Sequence, residues 1–274
     1  APYEEVKIFE YKVDSDGNAT ITKYSGNVSA LTIPDDIDGY PVVAIGANAF
    51  SGNGYLQSVV VPDGVTSIGE GALSECPKLQ SAVLPNNSNY KTISKKCFYN
   101  DAALSVADMS EYITKISSNA FENCGFVSLD LSDNITEIAS NAYYGCKNIS
   151  KLKLPKYLEK FGEGSFGDCD ALQEVEIPKY IKDAGDAYSN ATSGLGYSNG
   201  MFGECDNLKT ITFAKGIGYI PLDLFNNCSG LEEITIPDTV TEIQNKAFYN
   251  CHNLKKVNLP RSLTKIGVLA FASC

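Results

Sequence analysis

The sequence predicts a solenoid, a right-handed α/β-type coil in which short strands alternate with short helical or 3₁₀ turns. Three observations predict it. One aromatic position recurs at near-constant spacing along most of the chain. Every interval repeats the same strand-like and turn-like patterns. No single interval holds enough apolar residues to bury a face alone, so only stacking provides a core.

The recurrent position is the aromatic of an A-F step. It falls at Phe50, Phe98, Phe121, Tyr143, Phe166, Phe202, Phe225, Phe248 and Phe271, with Leu73 as the substituted case. Six of the nine intervals equal 23 residues and the others are 25, 22 and 36, a regularity that chance does not give. The consensus is C-x-x-L-x-x-I-x-I-P-x-x-V-T-x-I-G-x-x-A-F-x-x-C.

Before the first unit, Phe9–Val13 and Ala19–Tyr24 flank Asp14-Ser-Asp-Gly-Asn18, which reads as a β-hairpin turning at Asp16-Gly17. Such a hairpin covers the open end of a solenoid, which needs a cap to stay soluble. Within each unit L-x-x-I-x-I-P is a short strand. Leu231, Ile234 and Ile236 are one example, and Pro237 ends the ladder because it has no N–H to donate. V-T-x-I, as in Val240 to Ile243, alternates like a second short strand. Phe248, Cys251 and Leu254 recur every three residues, the period of a helical or 3₁₀ turn. Residues 1–30 are therefore assigned to a hairpin cap and 31–274 to about ten repeats, with an insertion at 183–199.

The repeated IPxxVTxIGxxAFxxC motif resembles the BspA-type leucine-rich repeats, as does the opening Ala19–Gly26, Leu31–Pro34 and Gly39–Gly46. The resemblance spans roughly residues 19–274. Met109-Ser110, Leu131-Ser132 and Phe213-Ala214 depart from it by lacking the proline, and one unit has lost a residue between Phe121 and Tyr143. It implies a leucine-rich-repeat solenoid that is secreted or surface-exposed, in a family found mainly in host-associated bacteria and described as adhesins. It brings no catalytic residues with it.

The residues agree with a non-enzymatic reading. The net charge is −11 and Arg261 is the only arginine, a poor composition for phosphate backbones or anionic membranes. No apolar run reaches the length of a membrane helix, and no signal peptide is evident. His252 is the only histidine, which argues against His-rich zinc sites and Ser-His or Cys-His hydrolases. Paired carboxylates such as Glu232-Glu233 are neighbours on a strand, one facing each way. Gly162-Glu-Gly-Ser-Phe-Gly167 matches a dinucleotide fingerprint by letters, yet it falls on the repeat's own turn and lacks the required strand and long helix. Asp14–Asn18 lacks the glycine and glutamate positions of a calcium loop. No cofactor and no metal are expected. The sequons at Asn18, Asn134 and Asn190 matter only in a glycosylating host.

There are nine cysteines, an odd number that fits poorly with a complete disulfide framework. All but Cys97 lie three residues after the recurrent aromatic, so they are expected as a column of buried, free thiols, one per rung.

Two regions are candidates for binding. The first is the outward face of the I-x-I strands, placed on the concave side by analogy with other leucine-rich repeats. It is polar and free of aromatics, and Lys151, Lys153, Glu174 and Glu176 are its most charged consecutive pairs. The second is the insertion, where Tyr188, Leu195 and Tyr197 stand among Gly, Ser and Asn, the composition of adaptable contact loops. The expected function is binding or adhesion to extracellular protein or glycan by a monomer. A passive spacer that displays another domain is the alternative.

Overall fold

A computed structural model describes residues 8–183 and 200–274. The chain coils so that each unit adds one strand to each of two parallel ladders. The I-x-I ladder runs through Ala30–Thr32, Ser58–Val60, Ser81–Val83 and Val106–Asp108, then through the pairs Ser128–Asp130 with Lys151–Lys153, Glu174–Ile177 with Thr210–Phe213, and Glu233–Thr235 with Lys256–Asn258. The T-x-I ladder joins Tyr40–Ile45 to Ser67–Ile68. It continues through the two-residue strands from Thr92–Ile93 to Lys182–Asp183, and resumes from Tyr219–Ile220 to Lys265–Ile266. Register follows the repeat: Glu174 pairs with Thr210, and Lys115 with Glu137.

The period-three segments are not the helical or 3₁₀ turns that the spacing predicts: among the described residues there is no helix. The reason lies two positions either side of the aromatic. Around Phe121 both Asn119 and Asn123 have left-handed φ of 59°, and around Phe248 Lys246 and Asn250 have 54° and 63°. Two left-handed residues within five stop any right-handed helix. Asn and Gly tolerate that region best, which explains their frequency there. The amides then alternate in use. Those of Ala120, Glu122 and Cys124 close local turns on residues three before them, while those of Phe121 and Asn123 donate to Ala142 and Tyr144 of the next unit at 2.8 Å. The period of three is real, but every second donor serves the stack.

The core is one continuous cluster running along the coil axis. Its spine is a column of aromatic rings. Phe98, Phe121, Tyr143 and Phe166 lie 5.0–5.3 Å apart and nearly parallel. The gaps on either side of Phe202 widen to 6.1 and 6.3 Å, and the column tightens again to 5.1 Å from Phe225 to Phe271. Leu73 interrupts it. At the other end Phe50 stacks on Tyr24, which packs against Phe9.

Phe9–Val13 and Ala19–Tyr24 run antiparallel, and Ala19–Tyr24 pairs in parallel with Tyr40–Ile45, so this segment is continuous with the T-x-I ladder. Between them the Asp14 carboxylate accepts the amides of Asp16 and Asn18, each at 2.9 Å, and Gly17 takes a φ of 82°. This is a turn built on Asp14. At Gly162 a Cβ would stand 2.1 Å from the Ser140 nitrogen of the preceding unit. The glycine of the nominal dinucleotide motif thus serves close approach between units.

Candidate functional site

The outward pairs fall where alternation along a strand puts them. Lys151, Lys153, Glu174, Glu176, Thr210 and Thr212 are all exposed, while Val175, Ile177 and Ile211 are buried beneath them. Lys153 and Glu176 do not form an ion pair with one another. The Lys153 ammonium instead donates to Asp130 on the previous strand at 2.7 Å, which holds its pKa above the usual lysine value.

The I-x-I ladder lapses between Lys151–Lys153 and Glu174–Ile177, although the T-x-I ladder is intact there through Lys160–Phe161 and Lys182–Asp183. A groove of about 760 Å³ opens at this lapse. It brings together three residues of the predicted set, Lys153, Glu174 and Glu176. Leu152, Leu154, Val175 and Pro178 give it apolar surface, and Thr210 and Thr212 add hydroxyls. Lys156, Lys179, Tyr180 and Lys215 also line it. Lys151 is not among the lining residues. Tyr188, Leu195 and Tyr197 lie outside the described residues.

Of two neighbouring aromatics, Tyr180 lines the groove and Tyr157, not among the lining residues, packs beside it. Tyr157 and Tyr180 occupy the same place in successive units, with rings 5.9 Å apart and 27° from parallel. They are 46% and 43% exposed, so each ring keeps a free surface. Lys156 and Lys179 lie 5.1 and 5.3 Å from the centroids of the tyrosine that follows each, within cation–π range. The sheet face itself is free of aromatics, as its alternation implies, but its margin is not. The signal was a repeated Lys-Tyr step after proline, Pro155-Lys156-Tyr157 and Pro178-Lys179-Tyr180, 23 residues apart.

The family model for the BspA type leucine rich repeat region matches the chain in six copies, over residues 22–124, 91–195 and 196–274. The chain belongs to the BspA-type leucine-rich repeat family. A leucine-rich repeat protein from Bacteroides ovatus shares its fold, with 21% identity and a TM-score of 0.60 over 100% of this chain and 92% of that one. The pneumococcal vaccine antigen PcpA does so with 18% identity and a TM-score of 0.53, over 97% of this chain and 65% of its own. A leucine rich cell surface protein from Faecalibacterium prausnitzii aligns at 23% identity over 100% of this chain and 93% of that one, with a TM-score of 0.40. No curated protein sequence matches the chain.

The cysteines of this BspA-type chain are held as inert core. All nine are free, and eight are buried, Cys274 being the exposed one. The thiols of Cys124, Cys146, Cys205 and Cys251 each donate to the carbonyl of the aromatic in the preceding unit at 3.1 Å, and Cys76 does the same to Phe50 at 3.3 Å. Burial pushes the thiols of Cys76, Cys97, Cys146 and Cys251 up to about 12. Thiolate chemistry at neutral pH is suppressed at such sites. Among the described residues no group of three or more His, Cys, Asp or Glu is placed to hold a metal. Among the described residues no helix is long and apolar enough to cross a membrane.

Cys97 is out of phase because it takes the alanine place of its unit, and the cysteine place falls to Asp101. Asp101 is fully buried. One carboxyl oxygen accepts the Cys76 amide at 2.7 Å and the other has no hydrogen-bond partner. Burial drives its pKa up to about 8. The same unit has Tyr90 in place of the usual valine, with its hydroxyl buried and unpartnered.

Proposed function

We propose that this chain is a binding module, exposed outside the cell, that takes an extracellular protein or glycan in the groove beside Tyr157 and Tyr180. The observation that carries the reading is the coincidence of three features at one place. The I-x-I ladder lapses there, the lapse opens a groove with apolar and charged walls, and a partly exposed aromatic pair stands beside it. Sites that bind ligands combine apolar surface with a few placed polar groups, and tyrosine is among the residues that dominate contact energy. The spacer alternative calls for uniform repeats with unremarkable surfaces, and this departure from uniformity favours binding. In this reading residues 1–30 cap the stack, and the insertion at 183–199, which follows Tyr180 closely in sequence, supplies further contacts through Tyr188, Leu195 and Tyr197. The module acts as a monomer and does not use nucleic acid.

A screen of the full chain against glycan and extracellular-matrix protein arrays tests this, repeated with Y157A/Y180A and with the charge swap K153E/E176K. Retained signal is expected for neither variant. Partners bound equally by both variants and the parent would place binding elsewhere.

A further inference from the structure

Resting on the reading of the groove as a binding site, we propose that its ligand is an acidic oligosaccharide whose carboxylates are carried on sugar rings, that is, a uronic-acid polymer. The position after the I-x-I strand's proline points to it. In the five earlier units that position holds Asp35, Asp63, Asn86, Glu111 and Asp133, the last of which also lines the groove, and in the two later units it holds Asp238 and Arg261. Across the groove it becomes Lys156, Lys179 and Lys215, a cation in three successive units. The shared register of the Glu174–Ile177 and Thr210–Phe213 strands sets Lys179 and Lys215 on adjacent units. Parallel neighbours are about 4.8 Å apart, so Lys179 and Lys215 stand side by side, and Lys156, one unit earlier across the lapse, extends them to a row of three lysines lining the groove. In a chain of net charge −11 this is a local reversal of sign, placed where a ligand would lie.

The other groups decide the class of anion. Glu174 and Glu176 project into the same groove. A run of acidic side chains on a peptide would set some of its carboxylates against these two glutamates. A sugar acid divides its chemistry differently. It has one carboxylate per ring for the lysine row and several hydroxyls that donate to carboxylates such as Glu174 and Glu176. Its apolar ring face fits the partly exposed surface of Tyr157 and Tyr180. One ligand thus uses the cationic row, the acidic floor and the aromatic pair together.

The test is calorimetric titration of the full chain with oligogalacturonate hexamer, with cellohexaose as neutral control and hexaglutamate as acidic-peptide control. Binding of the galacturonate alone is expected. It should weaken at least about tenfold in K156E/K179E/K215E and in Y157A/Y180A. It should survive in Y157F/Y180F, which keeps the rings and shows that the fold is not at issue. Raising salt from about 50 to about 500 mM should weaken it several-fold. Equal affinity for cellohexaose, stronger affinity for hexaglutamate, or no uptake of galacturonate overturns the inference. If galacturonate fails while an array partner is still lost in Y157A/Y180A, the groove stands and only the ligand class falls. If both fail, the groove reading falls with it.

Discussion

Replacing Asp101 with cysteine should raise the stability of the chain and remove one component of its pH dependence. Asp101 sits in the thiol column, fully buried, with one oxygen on the Cys76 amide and the other unpartnered. Its carboxyl titrates at about 8 in the folded state, against an ordinary 3.8. Between those values the folded protein holds a proton that the unfolded chain has released, so stability is greatest below pH 4 and is lost as pH rises towards 8. The loss is about 1.4 kcal/mol per pH unit, or about 4 kcal/mol by pH 7 as far as this one group is concerned. In D101C the side chain does not ionise in that range and can take the S–H to carbonyl bond made by its neighbours in the column. D101N removes the charge and keeps an oxygen for the Cys76 amide. Urea unfolding followed by circular dichroism at pH 5 and pH 8 separates the contributions, because the other carboxylates titrate alike in all three proteins. The stability difference between D101C and the parent should grow by about 2–4 kcal/mol from pH 5 to pH 8. Exchange of the Cys76 amide at pH 8 should slow in D101N, which keeps its acceptor, and not in D101C, which removes it. A difference that is the same at both pH values would refute the burial argument.

Other perturbations bear on the remaining parts of the fold. A thiol reagent applied to the native protein should modify Cys274 quickly and the buried eight only on denaturation; rapid labelling of several would contradict the packed column. F121A removes a fully buried ring stacked on both sides and should cost about 3–5 kcal/mol in chemical denaturation, whereas Y143F, which deletes an unpartnered buried hydroxyl, should cost nothing or stabilise slightly. G162A should destabilise by more than about 2 kcal/mol, since its Cβ would overlap the Ser140 backbone, while alanine at Gly54, where an added Cβ meets open space, should be nearly neutral. Trimming Asp186–Ser198 to the usual connection length should change stability by no more than about 1–2 kcal/mol, because the stack resumes at Phe202; loss of the native circular dichroism spectrum would show the segment to be structural.

The repeat, both strands of each unit and the buried column were legible because each rests on a strict period. Period two fixed which of Glu174, Val175 and Glu176 face outward, and the aromatic spacing located the core residues from Phe50 to Phe248, with Phe271 partly buried against them. The turn was misread from the same kind of signal. A spacing of three describes both a 3₁₀ helix and a chain that alternates local turn bonds with bonds to its neighbour. The information that separates them is the Asn, Gly and Asp content two residues either side of the aromatic, a conformational signal and not an apolar one. The groove was only partly legible. Its charged strand residues follow from alternation, but the lapse in the ladder depends on contacts between units and has no one-residue signature. Tyr157 and Tyr180 were passed over because exposed aromatics at a loop position leave no trace in apolar periodicity. Asp101 was readable as the residue standing in a cysteine place, and its burial follows from that place alone.

The two ladders lapse at different points. The I-x-I ladder is interrupted after Val106–Asp108, after Lys151–Lys153 and after Thr210–Phe213; the T-x-I ladder is interrupted after Ser67–Ile68 and after Lys182–Asp183. Among the described residues no interruption in one coincides with an interruption in the other, so the joints are offset as in brickwork. Every seam between adjacent units is therefore bridged by at least one run of backbone pairing. A tensile load along the axis meets no seam held by side chains alone, and opening at the groove is confined to one wall. Any widening of the groove would therefore hinge on the T-x-I side, where Lys160–Phe161 stays paired with Lys182–Asp183.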